Sequence, residues 1–254
     1  MPNPWNAGTA RILTALGFEA LATTSAGFAF SVGRRDSFGA LELDDVLANA
    51  KSIVEASPLP VSADLENGFG ASPESCASTV RAAAAAGLVG GSIEDATGVP
   101  ENPIYEFDLA TARIAAAASA AQAVGFVLTA RAENFLHGRP DLDDTIRRLQ
   151  AFERAGADVL YAPGLPSLDA MKRVCAAVSQ PVNVVMGLKG SLFTVEELAR
   201  VGVKRISVGG AFARAALGAF VRAAREVREH GTFTFAAEAI PHAEITAFME
   251  GSRR

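Results

Sequence analysis

Two carboxylates stand two residues apart in Ala63-Asp64-Leu65-Glu66-Asn67-Gly68-Phe69-Gly70, where an apolar run gives way to a glycine-rich turn. Side chains alternate along a strand, so Asp64 and Glu66 point the same way. Like charges on one face repel and are costly to desolvate, and a cation between them removes that cost. Oxygen-only ligands favour Mg2+, with Mn2+ as the alternative. The competing role is that one of the pair caps the following helix. The next apolar run ends in Glu94-Asp95, which alternate, so only one of them faces the same side. The run after that ends in Arg131, with Glu133 two residues on. An arginine there either clamps a substrate carboxylate or forms a salt bridge to Glu133 or Glu94. Upstream, Thr23-Thr24-Ser25-Ala26-Gly27 offers hydroxyls and small residues, in a turn able to aim N–H groups at an oxyanion or simply to reverse the chain. A weaker signal is Val208-Gly209-Gly210, of the kind that binds phosphate at the end of a late barrel strand.

The elements that must position these groups alternate along the whole chain. Strands are expected at Glu19–Ser25, Leu59–Asp64, Val89–Glu94, Phe126–Arg131, Asp158–Tyr161, Pro181–Met186 and Lys204–Val208. Helical patterns fall between them, at Leu43–Ala56, Pro73–Ala86, Leu109–Ala123, Leu142–Ala155, Ser167–Val178, Val195–Val201 and Ala211–Glu229. Ser72-Pro73, Asp141 and the Thr194/Glu197 pair supply helix starts, and Ala86-Gly87 and Ala155-Gly156 supply helix stops. Repeated strand–helix alternation means a parallel sheet with helices outside, and the strands read as apolar throughout, as for strands covered on both faces. A closed barrel and an open doubly wound sheet both fit. Chemistry-bearing residues at the ends of several strands favour a (β/α)8 TIM barrel, read as a single domain over residues 1–254.

The totals agree with such a barrel. The chain has 254 residues, 50% hydrophobic and 20% charged, with a net charge of -5. No basic run suggests nucleic acid, and no apolar run reaches the ~18 residues of a membrane span. Cys76 and Cys175 belong to no metal-binding or disulfide pattern and read as core thiols. The expected location is the cytoplasm.

In these residues the chain resembles the isocitrate lyase and phosphoenolpyruvate mutase superfamily. The matching segments run in order: Asn6-Ala7-Gly8-Thr9-Ala10-Arg11, Thr24-Ser25-Ala26-Gly27, Asp36 in Arg35-Asp36-Ser37, Asp64 to Gly70, Ile93-Glu94-Asp95, and Ala130-Arg131-Ala132-Glu133. The resemblance implies that Asp64 is the main protein ligand to Mg2+, while Asp36, Glu66 and Glu94 hold waters on it. It implies that Thr24, Ser25, Ala26, Gly27 and Arg131 bind the carboxylate and enolate end of a small 2-oxo or 2-hydroxy acid. Ser25, Arg131 and Glu94 are the expected catalytic groups. It also implies a homo-oligomer, a dimer or tetramer in which C-terminal helices exchange between subunits.

The departures bear on substrate. Superfamily lyases carry a lid with a cysteine acid, but the corresponding stretch Ala96–Tyr105 has no Cys, His or Lys. Tyr105 and Glu101 remain as proton donors by elimination. The asparagine expected after the sixth strand falls at Val185, with Asn183 close by as the substrate-binding group. The segment before Asn6 is short for the family's first strand, so a truncated first strand is expected. The function implied is carbon–carbon cleavage or decarboxylation of a small 2-oxo or 2-hydroxy dicarboxylate through an enolate. The alternatives are carbon–phosphorus mutase or hydrolase chemistry, and a keto-acid-binding barrel with little turnover.

Overall fold

The computed structural model describes residues 1–187 and 192–250. Seven parallel strands form one sheet in sequence order: β1 (Leu21–Ala22), β2 (Val61–Asp64), β3 (Gly90–Glu94), β4 (Val127–Arg131), β5 (Val159–Tyr161), β6 (Val182–Val185) and β7 (Arg205–Ser207). The helices are α1 (Ala7–Ala15), α2 (Ser25–Ser31), α3 (Leu43–Ala56), α4 (Pro73–Ala85), α5 (Phe107–Val124), α6 (Leu142–Arg154), α7 (Leu168–Ala177), α8 (Val195–Arg200), α9 (Ala211–His230) and α10 (His242–Glu250). The arrangement is a nearly closed TIM-type barrel. The described residues form seven strands, and the first strand of the eightfold pattern is absent among them, beyond the truncation expected.

The gap between β7 and β1 is bridged by residues 1–3 without a strand. The Met1 amine donates to the Ile206 carbonyl, and Ala22 N–H donates to the Pro2 carbonyl. Asn3, 5% exposed, donates through Nδ2 to the Thr23 carbonyl and accepts at Oδ1 from the N–H groups of Val208 and Gly209. One amide side chain therefore satisfies backbone groups on both rims of the gap. This overturns the phosphate reading of Val208-Gly209-Gly210, because two of the N–H groups that would grip phosphate are held by Asn3.

The strands are not apolar throughout. Leu65, Ile93, Leu128 and Leu160 are fully buried outside the barrel wall, beneath the helices. Burial of this kind stabilises by roughly 1.5–3 kcal/mol per large side chain. Alternate positions turn inward and are polar: Ser62, Asp64, Ser92, Arg131, Tyr161, Asn183, Arg205 and Ser207 line one interior cavity. Strand period decides the alternation, and barrel closure makes the inner face a site rather than a core.

Candidate active site

Each functional side chain sits where a strand ends. Asp64 closes β2, Glu94 closes β3 and Arg131 closes β4, with Glu94 and Arg131 paired in register. Arg131 is the hub. Its Nη1 lies 3.0 Å from Asp64 Oδ1, its Nη2 3.1 Å from Glu94 Oε2, and its Nε 2.9 Å from Glu133 Oε1. Its guanidinium lies over the Tyr161 ring, 5.0 Å from the centroid. Burial opposes the charge on Arg131, but Glu133, Glu94 and Asp64 outweigh it and hold the group protonated. The salt-bridge role and the site role thus fall on the same residue.

Among the described residues, the carboxylates outnumber the arginine at their centre. Ser25, Asp36, Asp64, Glu66, Glu94, Arg131, Glu133 and His137 all line a cavity of about 330 Å3 at the barrel mouth. Burial raises Glu94 well above the usual carboxylate range, with Arg131 opposing and Glu133, Asp64 and Glu66 adding to the rise. Burial, then Asp64 and Asp36, push Glu66 up to about 7. Asp36, on an exposed stretch between α2 and α3, is raised by partial desolvation and by Asp64.

Among the described residues, no three His, Cys, Asp or Glu side chains converge closely enough to hold a metal unaided. That fits Mg2+, which takes one or two carboxylates and keeps several of its waters. The surplus of negative charge is what such a cation offsets. Asp64, Asp36, Glu66 and Glu94 line one cavity and are the residues that could hold such a cation or its waters.

The turn carrying Glu66 is strained and clamped. Glu66 and Phe69 adopt left-handed backbone conformations, φ 47 and 52, which non-glycine residues rarely hold without support. Arg113 of α5, 1% exposed, supplies that support by donating to the carbonyls of Asn67 and Gly70. Its guanidinium also lies over the Tyr105 ring, 4.1 Å from the centroid. Tyr105 is thereby a buried packing residue outside the mouth cavity, and the expectation that it donates a proton there is corrected.

Thr24-Ser25-Ala26-Gly27 is not the end of a long strand. β1 covers only two residues, and Thr24 caps α2 by accepting from Gly27 N–H through its hydroxyl. Ser25 therefore opens a helix, and both its N–H and its hydroxyl donate to Asp64 Oδ2, at 3.3 and 2.9 Å. Asp95, on the opposite face from Glu94, accepts from Arg148 and from Glu133 N–H away from the mouth. Asn183 lines the inner cavity beside Asp64 and Arg131, not the mouth. Its amide is engaged with Arg205 and Ser207. His137, which reads in the sequence as an ordinary surface histidine, lies on the rim of the mouth cavity. Its proximity to the site depends on the loop after β4 and has no local sequence signal.

Comparison with known proteins accords with this geometry. The family model for phosphoenolpyruvate phosphomutase matches residues 1–228. A solved protein of Burkholderia cenocepacia J2315, named only as a candidate lyase/mutase, is 59% identical, with a TM-score of 0.96 over 99% of this chain and 90% of that one. The 2-methylisocitrate lyase of Salmonella typhimurium is 32% identical over 202 residues, 76% of this chain and 68% of that protein. The 2,3-dimethylmalate lyase of Eubacterium barkeri is 28% identical over 210 residues, 79% of this chain and 71% of that protein. With the barrel, the acid mouth and the arginine hub in place, the chain belongs to the phosphoenolpyruvate phosphomutase family, within the isocitrate lyase superfamily, and is an enzyme of that lyase and mutase type.

Proposed function

We propose that this enzyme is a Mg2+-dependent carbon–carbon lyase or decarboxylase of a small 2-oxo or 2-hydroxy dicarboxylate. The observation that carries the reading is the convergence of Asp64, Glu94 and Glu133 on Arg131 in a mouth that Asp36 and Glu66 also line. When bound, Mg2+ supplies Lewis-acid polarisation of the substrate's 2-oxygen. Arg131 pairs with the adjacent carboxylate and fixes its orientation. Ser25, with the helix start at Ala26 and Gly27 behind it, offers its hydroxyl and N–H to the oxygen where negative charge develops. Glu94, raised well above the usual carboxylate range by burial and 3.1 Å from Arg131, is the acid that would return a proton to the enolate carbon.

The family model favours a second reading, carbon–phosphorus mutase or hydrolase chemistry. The short stretch Ala96–Tyr105 has no lysine to meet a phosphonate, which supports the first reading over it. A keto-acid-binding barrel with little turnover is the third. A proton NMR time course separates them, with Mg2+ or EDTA and a panel of oxaloacetate, 2-methylisocitrate, dimethylmalate and phosphonopyruvate. Metal-dependent release of a smaller keto acid from a carbon substrate is expected. Turnover of phosphonopyruvate alone, or binding without turnover of any, would move the assignment to the second or third reading.

The same proposal includes a homo-oligomer, a dimer or tetramer, with α9 and α10 at its interface. Leu217, Phe220 and Val221 of α9 are 42, 69 and 42% exposed, and Phe233 beyond it is 65% exposed. Apolar surface so concentrated marks an association face. Light scattering that gives a monomer at micromolar concentration would sink this part. No helix among the described residues is long and apolar enough to cross a membrane.

A further inference from the structure

We infer that the barrel interior beneath the Asp64–Arg131 pair is a carboxylate subsite built on Arg205, and that it takes the far carboxylate of a dicarboxylate substrate. The inference rests on the keto-acid reading of the mouth and adds to it a reason for two carboxylates rather than one.

Arg205 lies on β7 and reaches across the barrel. Its Nε donates to Asn183 Oδ1 at 2.9 Å, and its Nη2 donates to Thr129 Oγ1 on β4 at 2.7 Å. Among the described residues it has no carboxylate within salt-bridge distance, whereas Arg131 has three. Nη1 makes no hydrogen bond among the described residues. A sheltered cation without a counter-charge is costly, and folds seldom keep one that only packs. Burial pulls the Arg205 guanidinium down to about 10, so it remains charged at neutral pH.

The space beside it suits an anion. A cavity of about 60 Å3 is walled by Thr24, Asp64, Arg131, Tyr161, Asn183 and Ser207 together with Arg205. A water needs roughly 10–15 Å3 on this measure, so the cavity holds a carboxylate or a few waters. Among the described residues Asp64 is the only carboxylate in the wall, and both its oxygens are taken, one by Arg131 and the other by Ser25. The free charge facing the cavity is therefore positive. Neutral polar groups, the Asn183 amide and the Ser207 and Thr24 hydroxyls, also line it.

The level is right for the second end of a short acid. Thr129 precedes Arg131 by two residues on β4, about 7 Å along the strand, so the guanidinium that touches Thr129 lies deeper in the barrel than the end of β4. A four-carbon dicarboxylate held by Arg131 at one end reaches that depth with the other. A monocarboxylate such as pyruvate does not.

The test compares Arg205→Met and Arg205→Lys with the wild-type enzyme in Mg2+, using oxaloacetate and pyruvate in binding titrations and bromide in crystal soaks. For Arg205→Met the dicarboxylate affinity is expected to fall roughly ten- to hundredfold, the loss of a charge-assisted contact, with pyruvate affinity unchanged. Arg205→Lys should recover part of it. The urea midpoint of Arg205→Met should not fall, because an uncompensated charge has been removed. Equal loss for both acids, or a destabilised Arg205→Met, would make Arg205 a structural strut and overturn the inference. If wild-type enzyme binds neither acid in the presence of Mg2+, the mouth reading fails. The anion subsite then stands only if anomalous scattering finds bromide at Arg205 in wild type and not in Arg205→Met.

Discussion

Replacing Arg131 by methionine removes, among the described residues, the only arginine or lysine from a mouth that holds five carboxylates. At about 3 Å and an effective dielectric of 20, each unit-charge contact is worth about 5–6 kcal/mol of Coulomb attraction before desolvation is set against it. Arg131 makes three such contacts, with its side chain 13% exposed and those of Asp64, Glu94 and Glu133 19, 18 and 2% exposed. Deleting one partner of a sheltered pair costs about 3–5 kcal/mol net, because the other partner is left uncompensated. Asp64 retains the Ser25 donors, while Glu94 has no other ion-pair partner among the described residues. The loss should fall near the upper end of that range. Its pH dependence follows from the sign of the shifts. Arg131 lowers Asp36, Glu66 and Glu94 against burial, which already holds all three above their ordinary values. Without Arg131 they rise further. An acid raised in the folded state weakens stability as pH climbs from its unfolded value near 4.3 through its folded value. The deficit of Arg131→Met should therefore be smaller at pH 5, where Glu66 is protonated in both proteins, than at pH 8. Urea unfolding in EDTA at the two pH values measures it. A deficit of equal size at both would mean that Arg131 works by packing against Tyr161, and the electrostatic account would be wrong.

Two more outcomes follow from the same site. Arg113→Met leaves the carbonyls of Asn67 and Gly70 without their donor, at a cost on the order of 3 kcal/mol, and should release the left-handed turn at Glu66. Faster proteolysis within residues 66–72 and weaker Mg2+ binding are expected together, and an unchanged Mg2+ affinity would show that the clamp does not shape the site. Glu66, raised to about 7, carries a proton over much of the population at pH 6, and a bound divalent cation must expel it. Calorimetry in buffers of different ionisation enthalpy should find tighter Mg2+ binding and less proton release at pH 8 than at pH 6; affinity that ignores pH would remove Glu66 from the metal's surroundings.

The mouth was legible because strand period fixes it. Asp64 and Arg131 end their strands on the inner side by alternation, while Glu66 joins them through the left-handed turn beyond β2, and the structure puts all three in one cavity. The helix boundaries were legible for a similar local reason: the capping groups of Ser72, Asp141 and Thr194 sit where the sequence puts them. What failed depended on closure. The run Glu19–Ser25 has the composition of a strand, but its last residue opens α2 once Thr24 turns its hydroxyl back to Gly27. Asn183 was picked by resemblance, as the asparagine close to the position after the sixth strand, and it faces the interior. The polar residues recurring at alternate positions in β2, β3, β4, β6 and β7 were the available sign of that interior, hidden among valines and alanines. Lys204-Arg205 looks like the solvated start of a strand, and only the barrel brings Arg205 to Thr129, 76 residues away.

The division of charge inside the barrel couples its two occupants. At rest Arg131 is saturated by the protein's own acids, and Asp64 is saturated by Arg131 and Ser25. A substrate carboxylate that approaches Arg131 competes with Asp64, and one that approaches Ser25 meets the same rival. A divalent cation held by Asp64 would compete for that carboxylate and would leave Nη1 of Arg131 and the Ser25 hydroxyl and N–H to the acid. Linkage makes the effect mutual, so a bound acid must tighten the metal by the same factor as the metal tightens the acid. If the two affinities, each measured with and without the other ligand, prove independent, then Asp64 does not stand between the cation and the substrate, and the arginine hub has some purpose other than to be released.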